Sequence, residues 1–343
     1  MKKAAFAFPV LFFSAAFFSC STKEPSRTAI LMNTVCSVNA FDEGTKQLHD
    51  EIFGRLLQIE KTFSATLPGS ELSRINACAG IAPVEASSDF LTVLKTALAA
   101  EAISGNAFTP AAGPLIDAWG INTEHEAVPA EKEIEDALSL TDSGDIEISG
   151  NHVFLKKSGM KLHLGGIAKG FAADEVCKIL RNRGIQRAVI DLGGNIYVWG
   201  KKPGGAPWSV GIKDPGNPSG KPLLKLSTGQ ASVVTSGAYE RYFESGGKRY
   251  HHIFDMKTGF PAESGAASVT VICQSSMTAD ALSTCFFVLG IEKSFSLLEK
   301  CKEEFKTDIS AVFISSSGQV FATSDLTDSL SFASEDSRSI LFF

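Results

Sequence analysis

The segment LHLGGIAKGFAADEVCKIL, residues 162–180, places two glycines directly before a stretch whose apolar residues have helical spacing. Lys169 and Gly170 fall in the first turn of the predicted helix. Free backbone N–H groups at a helix start attract anions, and glycine lets a phosphate approach the main chain closely. The spacing matches neither a Walker A loop nor a dinucleotide fingerprint. The segment therefore predicts an anion site, although a turn that needs glycine only for its shape gives the same pattern.

A second segment, TADALSTCFFVLG (residues 278–290), predicts a helix with Asp280 and Thr284 one turn apart on the same face. A carboxylate and a hydroxyl together suit a hard cation such as Mg²⁺, which prefers oxygen ligands. The alternative is a surface aspartate beside a threonine that bonds back into its own helix.

A third segment carries hydroxyls at Thr235 and Ser236 and, further along, a histidine pair. Histidine can accept a proton near neutral pH, which makes His252 a candidate general base. His251, His252 and Asp255 could instead bind zinc in a hydrolase. If the pair lies on a strand, adjacent side chains face opposite ways, so at most one histidine points at a given site.

The predicted strands and helices follow one another without regular strand–helix–strand alternation, which favours an α+β fold. One strand is predicted from Ala29 to Phe41, and the Pro- and Gly-punctuated stretch 108–120 is assigned no element. Helices are predicted over residues 45–63, from Ser70, and over 88–104, 131–140, 277–289 and 292–300.

The composition is that of a globular protein, with 343 residues, 44% hydrophobic residues and a formal net charge of −6. This length allows one large domain or two modest ones. The negative charge argues against nucleic acid as a partner, because phosphate-backbone binding needs clustered Lys and Arg. A small anionic ligand needs only a local positive site and remains compatible with this charge.

The N-terminus predicts export. Lys2 and Lys3 precede an apolar stretch that ends at Ser19–Cys20, so residues 1–19 are interpreted as a signal peptide. Ser19–Cys20 resembles a bacterial lipoprotein cleavage site, and a plain secretory signal cut nearby is the alternative. Residues 20–28 are then a lipidated Cys20 and a tether, and the protein is predicted to be periplasmic and anchored to the inner membrane.

Eight short strings in one order resemble the ApbE-type FAD:protein FMN transferase family. The strings are MNT (32–34), SELSRIN (70–76), GPLIDAWG (113–120), LGGIAKGFAAD (164–174), DLGGNIYVWG (191–200), SVVTSGAYERYF (232–243), HHIFDMKTGFP (251–261) and TADALSTCFFVLG (278–290).

The resemblance implies mixed and antiparallel sheets packed with helices in one large, T-fold-related domain over residues 29–343, with a flavin nucleotide cleft between two lobes. It implies Mg²⁺-dependent transfer of FMN from the substrate FAD, through a phosphoester bond, to a Thr or Ser of an acceptor protein, with release of AMP. Membrane redox subunits are the family's usual acceptors. The same site could also serve an FAD pyrophosphatase that gives FMN and AMP, or a flavin-binding lipoprotein without catalysis.

The resemblance also implies roles for individual residues. The Gly166 backbone, Asp280 and Thr284 would hold Mg²⁺, Lys169 would meet the pyrophosphate, and His252 would take the proton of the acceptor hydroxyl. Positions implied to contact the nucleotide are Met32, Thr66, Ala118, Trp119, Gly120, His163, Gly165, Gly166, Lys169, Thr235, Ser236 and His252.

Four positions depart from the pattern of the family. His163 stands where Asp is common, Thr66 where Tyr is frequent, Met256 where Pro is usual, and Ser283 where a second acidic residue often stands. The changes at His163 and Thr66 bear on the expected flavin contacts, and Ser283 weakens the case for a second carboxylate at the metal.

Overall fold

A computed structural model of the protein describes residues 22–202 and 204–343. The predicted signal peptide, residues 1–19, and the predicted lipidation site Cys20 lie outside the described residues. The helices of the described chain are α1 (Lys46–Phe63), α2 (Glu71–Ala77), α3 (Ser88–Ser104), α4 (Gly113–Trp119), α5 (Glu131–Leu138), α6 (Ala168–Asn182), α7 (Ser276–Leu289) and α8 (Ile291–Phe305).

The strands, in chain order, are β1 (Ser26–Leu31), β2 (Thr34–Asn39), β3 (Val84–Glu85), β4 (Ile146–Ser149), β5 (His152–Leu155), β6 (Arg187–Leu192), β7 (Asn195–Gly200), β8 (Trp208–Ile212), β9 (Leu224–Thr228), β10 (Ala231–Gly237), β11 (Tyr242–Ser245), β12 (Lys248–His251), β13 (Ala266–Cys273), β14 (Ile309–Ser315), β15 (Val320–Ala322), β16 (Leu330–Phe332) and β17 (Ile340–Phe342).

A nine-stranded sheet organises the molecule, with strand order β1-β2-β6-β7-β10-β13-β14-β15-β17. Its neighbouring strands are antiparallel except for the parallel pair β15–β17. Three small sheets accompany it, in the orders β11-β12, β16-β9-β8 and β3-β5-β4. Helices and largely antiparallel sheets occur together without repeated βαβ units, so the α+β prediction is confirmed.

Both faces of the large sheet are covered, which follows from the alternation of side chains along each strand. Val234 of β10 packs into the helical core with Leu282 and Phe286 of α7. Its neighbour Val233 faces the other way and packs with Leu224 of the small β8–β9–β16 sheet. Burying each such side chain stabilises the fold by roughly 1.5–3 kcal/mol. Helix α7 contacts α6, β10 and β13 and is therefore held on several sides.

The N-terminal part of the fold differs from its prediction. The single strand predicted from Ala29 to Phe41 is a hairpin of β1 and β2, because Met32 and Asn33 adopt positive φ values of 52° and 56° and reverse the chain. Residues 22–28, which the sequence assigns to a tether, take part in the described fold. Strand β1 begins at Ser26, and the carbonyl of Thr22 accepts a 3.0 Å hydrogen bond from the backbone N–H of Lys46.

Most predicted helices are present. Thr45, Ser70 and Ser87 each accept a hydrogen bond from a backbone N–H in the first turn of α1, α2 and α3, as capping residues do. Helix α4 was not predicted, because its glycine and proline suggest a loop. Pro114 sits in its first turn, where proline is tolerated. No helix among the described residues is both long and apolar enough to cross a lipid bilayer.

Candidate functional site

A cavity of about 490 Å³ lies between the start of α6, one face of α7 and the strands β7 and β10. Nine of the residues singled out from the sequence line it: His163, Gly165, Gly166, Lys169, Thr235, Ser236, His252, Asp280 and Thr284. Segments more than 100 residues apart in sequence therefore meet at one site.

Helices α6 and α7 touch closely beside this cavity. A β-carbon added at Gly170 would lie 2.2 Å from the carbonyl oxygen of Ser276, so only glycine permits the approach. The backbone N–H of Gly170 donates to Asp280 Oδ2 at 2.9 Å, and Lys169 Nζ lies 3.4 Å from Asp280 Oδ1. The glycine-led helix start and the aspartate-bearing helix converge as the sequence predicts.

The oxygens on this wall fit a hard divalent cation. The Asp280 side chain is 5% exposed, and its Oδ1 lies 3.4 Å from Lys169 Nζ. A β-carbon placed on Gly166 would lie 3.5 Å from Thr284 Oγ1, which brings the Gly166 backbone next to that hydroxyl. Carboxylate, hydroxyl and carbonyl oxygens are the ligands that Mg²⁺ prefers.

A chain of hydroxyl groups supports the same wall. Ser236 Oγ lies 2.8 Å from Ser283 Oγ and 3.4 Å from Thr284 Oγ1. Ser283 in turn donates to the backbone carbonyl of Asp280 at 2.9 Å. Ser283 therefore contributes a hydrogen bond between α7 and β10 where a second carboxylate would otherwise stand.

His252 is held in one tautomer by the segment before β11. Its Nδ1 lies 3.1 Å from the carbonyl oxygen of Arg241. A carbonyl oxygen can only accept, so Nδ1 carries the hydrogen and Nε2 keeps a lone pair. Burial, aided by the positive charge of Arg241, lowers the pKa of His252 to about 3. The imidazole is therefore neutral near pH 7, with the Nε2 lone pair unprotonated.

His163 is also neutral near pH 7. Burial, followed by the charge of Arg241, lowers its pKa to about 4. Its Nδ1 accepts a hydrogen bond of 3.4 Å from the backbone N–H of Gly165. The site thus has an uncharged ring where the family resemblance leads one to expect an aspartate.

Five predicted nucleotide contacts do not line the cavity: Met32, Thr66, Ala118, Trp119 and Gly120. The indole of Trp119 is 0% exposed and donates to the carbonyl oxygen of Gly259 at 2.8 Å, so it serves as core. Ala118 packs around that cluster, and Gly120 ends α4 in the left-handed conformation. Thr66 is exposed and lies near Ser64, with 3.3 Å between their hydroxyl oxygens.

The cavity also includes residues that sequence reasoning did not single out: Asn33, Thr34, Phe108, Gly193, Gly194, Asn195, Lys213 and Arg241. Several of them belong to the quoted strings, which was the available signal. Gly193 has a φ of 66°, and a β-carbon there would lie 2.0 Å from Thr34 Oγ1. This contact joins the β6–β7 turn to the β1–β2 turn on one wall.

The zinc-hydrolase alternative receives no support from the geometry. The part of the chain that the structure describes contains no group of three His, Cys, Asp or Glu side chains placed to hold a metal ion. His251 is buried with Nε2 3.2 Å from the carbonyl oxygen of Ala262, whereas His252 lines the cavity. The two histidines therefore face different surroundings, as adjacent residues near a strand end do.

Comparison with known proteins identifies the family. The sequence model of the ApbE family matches residues 32–310, which is most of the chain. This chain belongs to the ApbE family. The match extends from the β1–β2 turn to β14 and so includes every element that lines the cavity.

Named relatives of the family agree over nearly the whole chain. A Treponema pallidum protein named FAD:protein FMN transferase is 39% identical over 325 residues, covering 89% of this chain and 88% of the relative. A Klebsiella pneumoniae protein of the same name is 34% identical, covering 87% and 92%. The crystal structure of the ApbE protein of Thermotoga maritima is 31% identical, with a TM-score of 0.77 over 86% of this chain and 95% of that one. The flavin transferase ApbE of Vibrio cholerae is 27% identical, with a TM-score of 0.78.

Proposed function

We propose that this chain transfers FMN from FAD to a Thr or Ser hydroxyl of an acceptor protein and releases AMP. The observation that carries the proposal is the meeting of Lys169, Asp280 and Thr284 with the neutral His252 in one cavity. The printed names of the relatives point to the same reaction. A diphosphate, a cation and a base are the three components that such a transfer requires.

Mg²⁺ would be held by the Gly166 carbonyl, the Asp280 carboxylate and the Thr284 hydroxyl. When bound, it would neutralise charge on the phosphate oxygens. Lys169 would bind the diphosphate, and the start of α6 supports this assignment. Ile167 before that helix supplies no capping side chain, and among the first-turn N–H groups that of Gly170 donates to Asp280. Gly165 and Gly166 beside it line the cavity, and the positive end of a helix favours an anion.

His252 would act as the general base. The acceptor hydroxyl oxygen forms a bond to the FMN phosphorus while its proton moves to His252 Nε2. The bond from that phosphorus to the bridging oxygen breaks, and AMP leaves with the electron pair. Arg241 holds Nδ1–H through its carbonyl, so the accepting nitrogen keeps its orientation. A positioned base of this kind typically contributes a factor of about 10² to 10⁴ in rate.

The test is to incubate the protein with FAD, Mg²⁺ and a membrane redox subunit, and to measure acceptor mass and AMP. We expect the acceptor to gain the mass of FMN less water, and Asp280→Ala to abolish the gain. AMP release without acceptor labelling would instead show that the protein is an FAD pyrophosphatase. FAD binding with neither product would show that it binds flavin without catalysis.

We further propose that Cys20 is lipidated and that the enzyme acts in the periplasm on inner-membrane redox subunits. The n-region lysines, the apolar stretch and the Ser19–Cys20 pair support this location. Mass spectrometry of the mature N-terminal peptide tests it. The expected result is a diacylglycerol-modified Cys20, and an unmodified N-terminus at another residue would contradict it.

A further inference from the structure

Arg241 is a charged residue of the cavity that the mechanism above uses only through its backbone. It lies in the short connection between β10 and β11, and its carbonyl oxygen accepts from both the backbone N–H and the ring of His252. Its side chain is exposed and lines the cavity. Among the described residues, no carboxylate lies within 4 Å of its guanidinium and no hydrogen bond engages it.

The other cations of the cavity have partners. Lys169 lies 3.4 Å from Asp280, and Lys213 lies 3.1 Å from Glu240. Within the described part of the chain, Lys169, Lys213 and Arg241 are the Lys and Arg residues that line the cavity, and Glu240 and Asp280 are its carboxylates. The cavity wall therefore carries one positive charge without a counter-charge, and that charge belongs to Arg241.

Bound FAD and Mg²⁺ would leave this charge uncompensated. Mg²⁺ and Lys169 together carry three positive charges, and the diphosphate and Asp280 together carry three negative charges. Arg241 would then remain the one excess charge beside the general base. The planar guanidinium presents paired N–H donors that match a carboxylate, which makes an acidic side chain a suitable partner.

We propose that Arg241 binds a carboxylate of the acceptor protein, on an Asp or Glu a few residues from the hydroxyl that receives FMN. This inference depends on the proposed function, because the acceptor must lie against His252. In-line attack places the incoming hydroxyl on the side of the base and the leaving AMP opposite. The backbone carbonyl of Arg241 is hydrogen-bonded to that base, so Arg241 lies beside the bound acceptor. With about 3.3–3.6 Å per extended residue, its side chain can reach a carboxylate within about three positions of the hydroxyl.

The test uses nine-residue peptides with a central Thr in a Gly/Ala background and one Asp at each position from three before to three after the Thr. Matched peptides carry Asn instead. With FAD and Mg²⁺, flavinylated peptide is quantified by its flavin absorbance after chromatography. We expect Asp at one position to raise kcat/KM for the peptide about tenfold over Asn, as a charge-assisted pair does. In Arg241→Gln this ratio is expected to fall to about one.

The Asp-to-Asn ratio is measured within each enzyme, so a general loss of activity in the variant does not change it. Arg249→Gln is the matched control, because Arg249 lies on β12, pairs with Glu244 and does not line the cavity. It should keep the tenfold ratio. Arg241→Glu should invert the preference, so that a peptide with Lys at the preferred position has a higher kcat/KM than the peptide with Asp there.

Two outcomes overturn the inference. One is a wild-type enzyme that releases AMP from FAD but flavinylates the Asp and Asn peptides equally well, or flavinylates neither. The other is an Arg241→Gln enzyme that keeps the Asp preference while its KM for FAD rises, which would assign the guanidinium to the diphosphate. A wild-type enzyme that yields neither AMP nor flavinylated peptide would end the proposed function itself, and the inference with it.

Discussion

At the scale of single residues, His252 shows how a neighbour's backbone prepares a side chain for chemistry. The Arg241 carbonyl fixes Nδ1 as the donor, and the lowered pKa keeps Nε2 free of a proton. An oriented imidazole with a free Nε2 lone pair has the geometry that a proton acceptor needs. The side chain of Arg241 is exposed and also lines the cavity.

His252→Gln should lower kcat for FMN transfer by about 10²- to 10⁴-fold, because the amide cannot accept the acceptor's proton. The measurement is single-turnover transfer at saturating FAD and acceptor, with a thermal melt to show that the variant is folded. A loss smaller than tenfold would mean that another group takes the proton.

Asn33 should tolerate glycine but not a β-branched residue. Its φ of 56° is left-handed, which asparagine and glycine adopt readily and valine does not. Asn33→Val should lower the free energy of unfolding by about 1–2 kcal/mol, measured by urea denaturation. Asn33→Gly is the control and should stay within about 0.5 kcal/mol of wild type. Equal losses in the two variants would show that the asparagine side chain, and not its backbone, matters.

At the scale of elements, the site depends on how closely α6 and α7 approach. Their contact at Gly170 and Ser276 places Asp280 against the start of α6. Because the acidic group and the helix start come from different elements, a small displacement of either helix changes every distance at the proposed cation site.

Gly170→Ala should separate these helices, because its β-carbon would lie 2.2 Å from the Ser276 carbonyl oxygen. We expect a loss of about 1–3 kcal/mol in unfolding free energy, together with weaker Mg²⁺ binding by titration calorimetry. Gly54→Ala, in the middle of α1 with no atom within 4 Å of the new carbon, is the control. It should stabilise the protein by about 0.5–1 kcal/mol. Unchanged Mg²⁺ affinity in Gly170→Ala would show that the contact between α6 and α7 does not determine cation binding.

At the scale of the whole molecule, several histidines are kept neutral by folding. Burial lowers the pKa of His49, which is 0% exposed with Nε2 2.9 Å from the Glu24 carbonyl oxygen. Burial also lowers the pKa of His251. The unfolded chain binds protons at these groups below about pH 6.5, whereas the folded chain binds them only at lower pH. These groups therefore contribute to the free energy of unfolding above that pH, and their contribution is lost as the pH falls.

Urea denaturation from pH 7.5 to pH 5 should show the free energy of unfolding falling on acidification. His49→Gln should make this slope shallower, because one group that takes up a proton on unfolding is gone. The comparison is between slopes, so a uniform loss of stability in the variant does not affect it. Parallel slopes for the two proteins would exclude His49 as a source of the acid sensitivity.

Much of this architecture is predictable from sequence, and the failures have physical causes. Helix α3 is predictable because its apolar residues repeat at helical spacing between a serine cap and Gly105. The β1–β2 turn is missed because Met32 is an unexpected residue at positive φ. Trp119 is assigned to the nucleotide because it lies in a family string, yet only tertiary packing decides that its indole faces the core. Arg241 reaches His252 through the β11–β12 hairpin, which the sequence does not reveal.

Thr22, two positions after Cys20 in the sequence, and Glu24 are hydrogen-bonded to residues at the start of α1. Two extended residues span at most about 7 Å. A lipid on Cys20 would thus keep the enzyme at the bilayer surface, unable to swing outward on a long linker. Acceptor proteins would then have to present their hydroxyl close to the bilayer surface, so the distance of that hydroxyl from the membrane would itself select among acceptors.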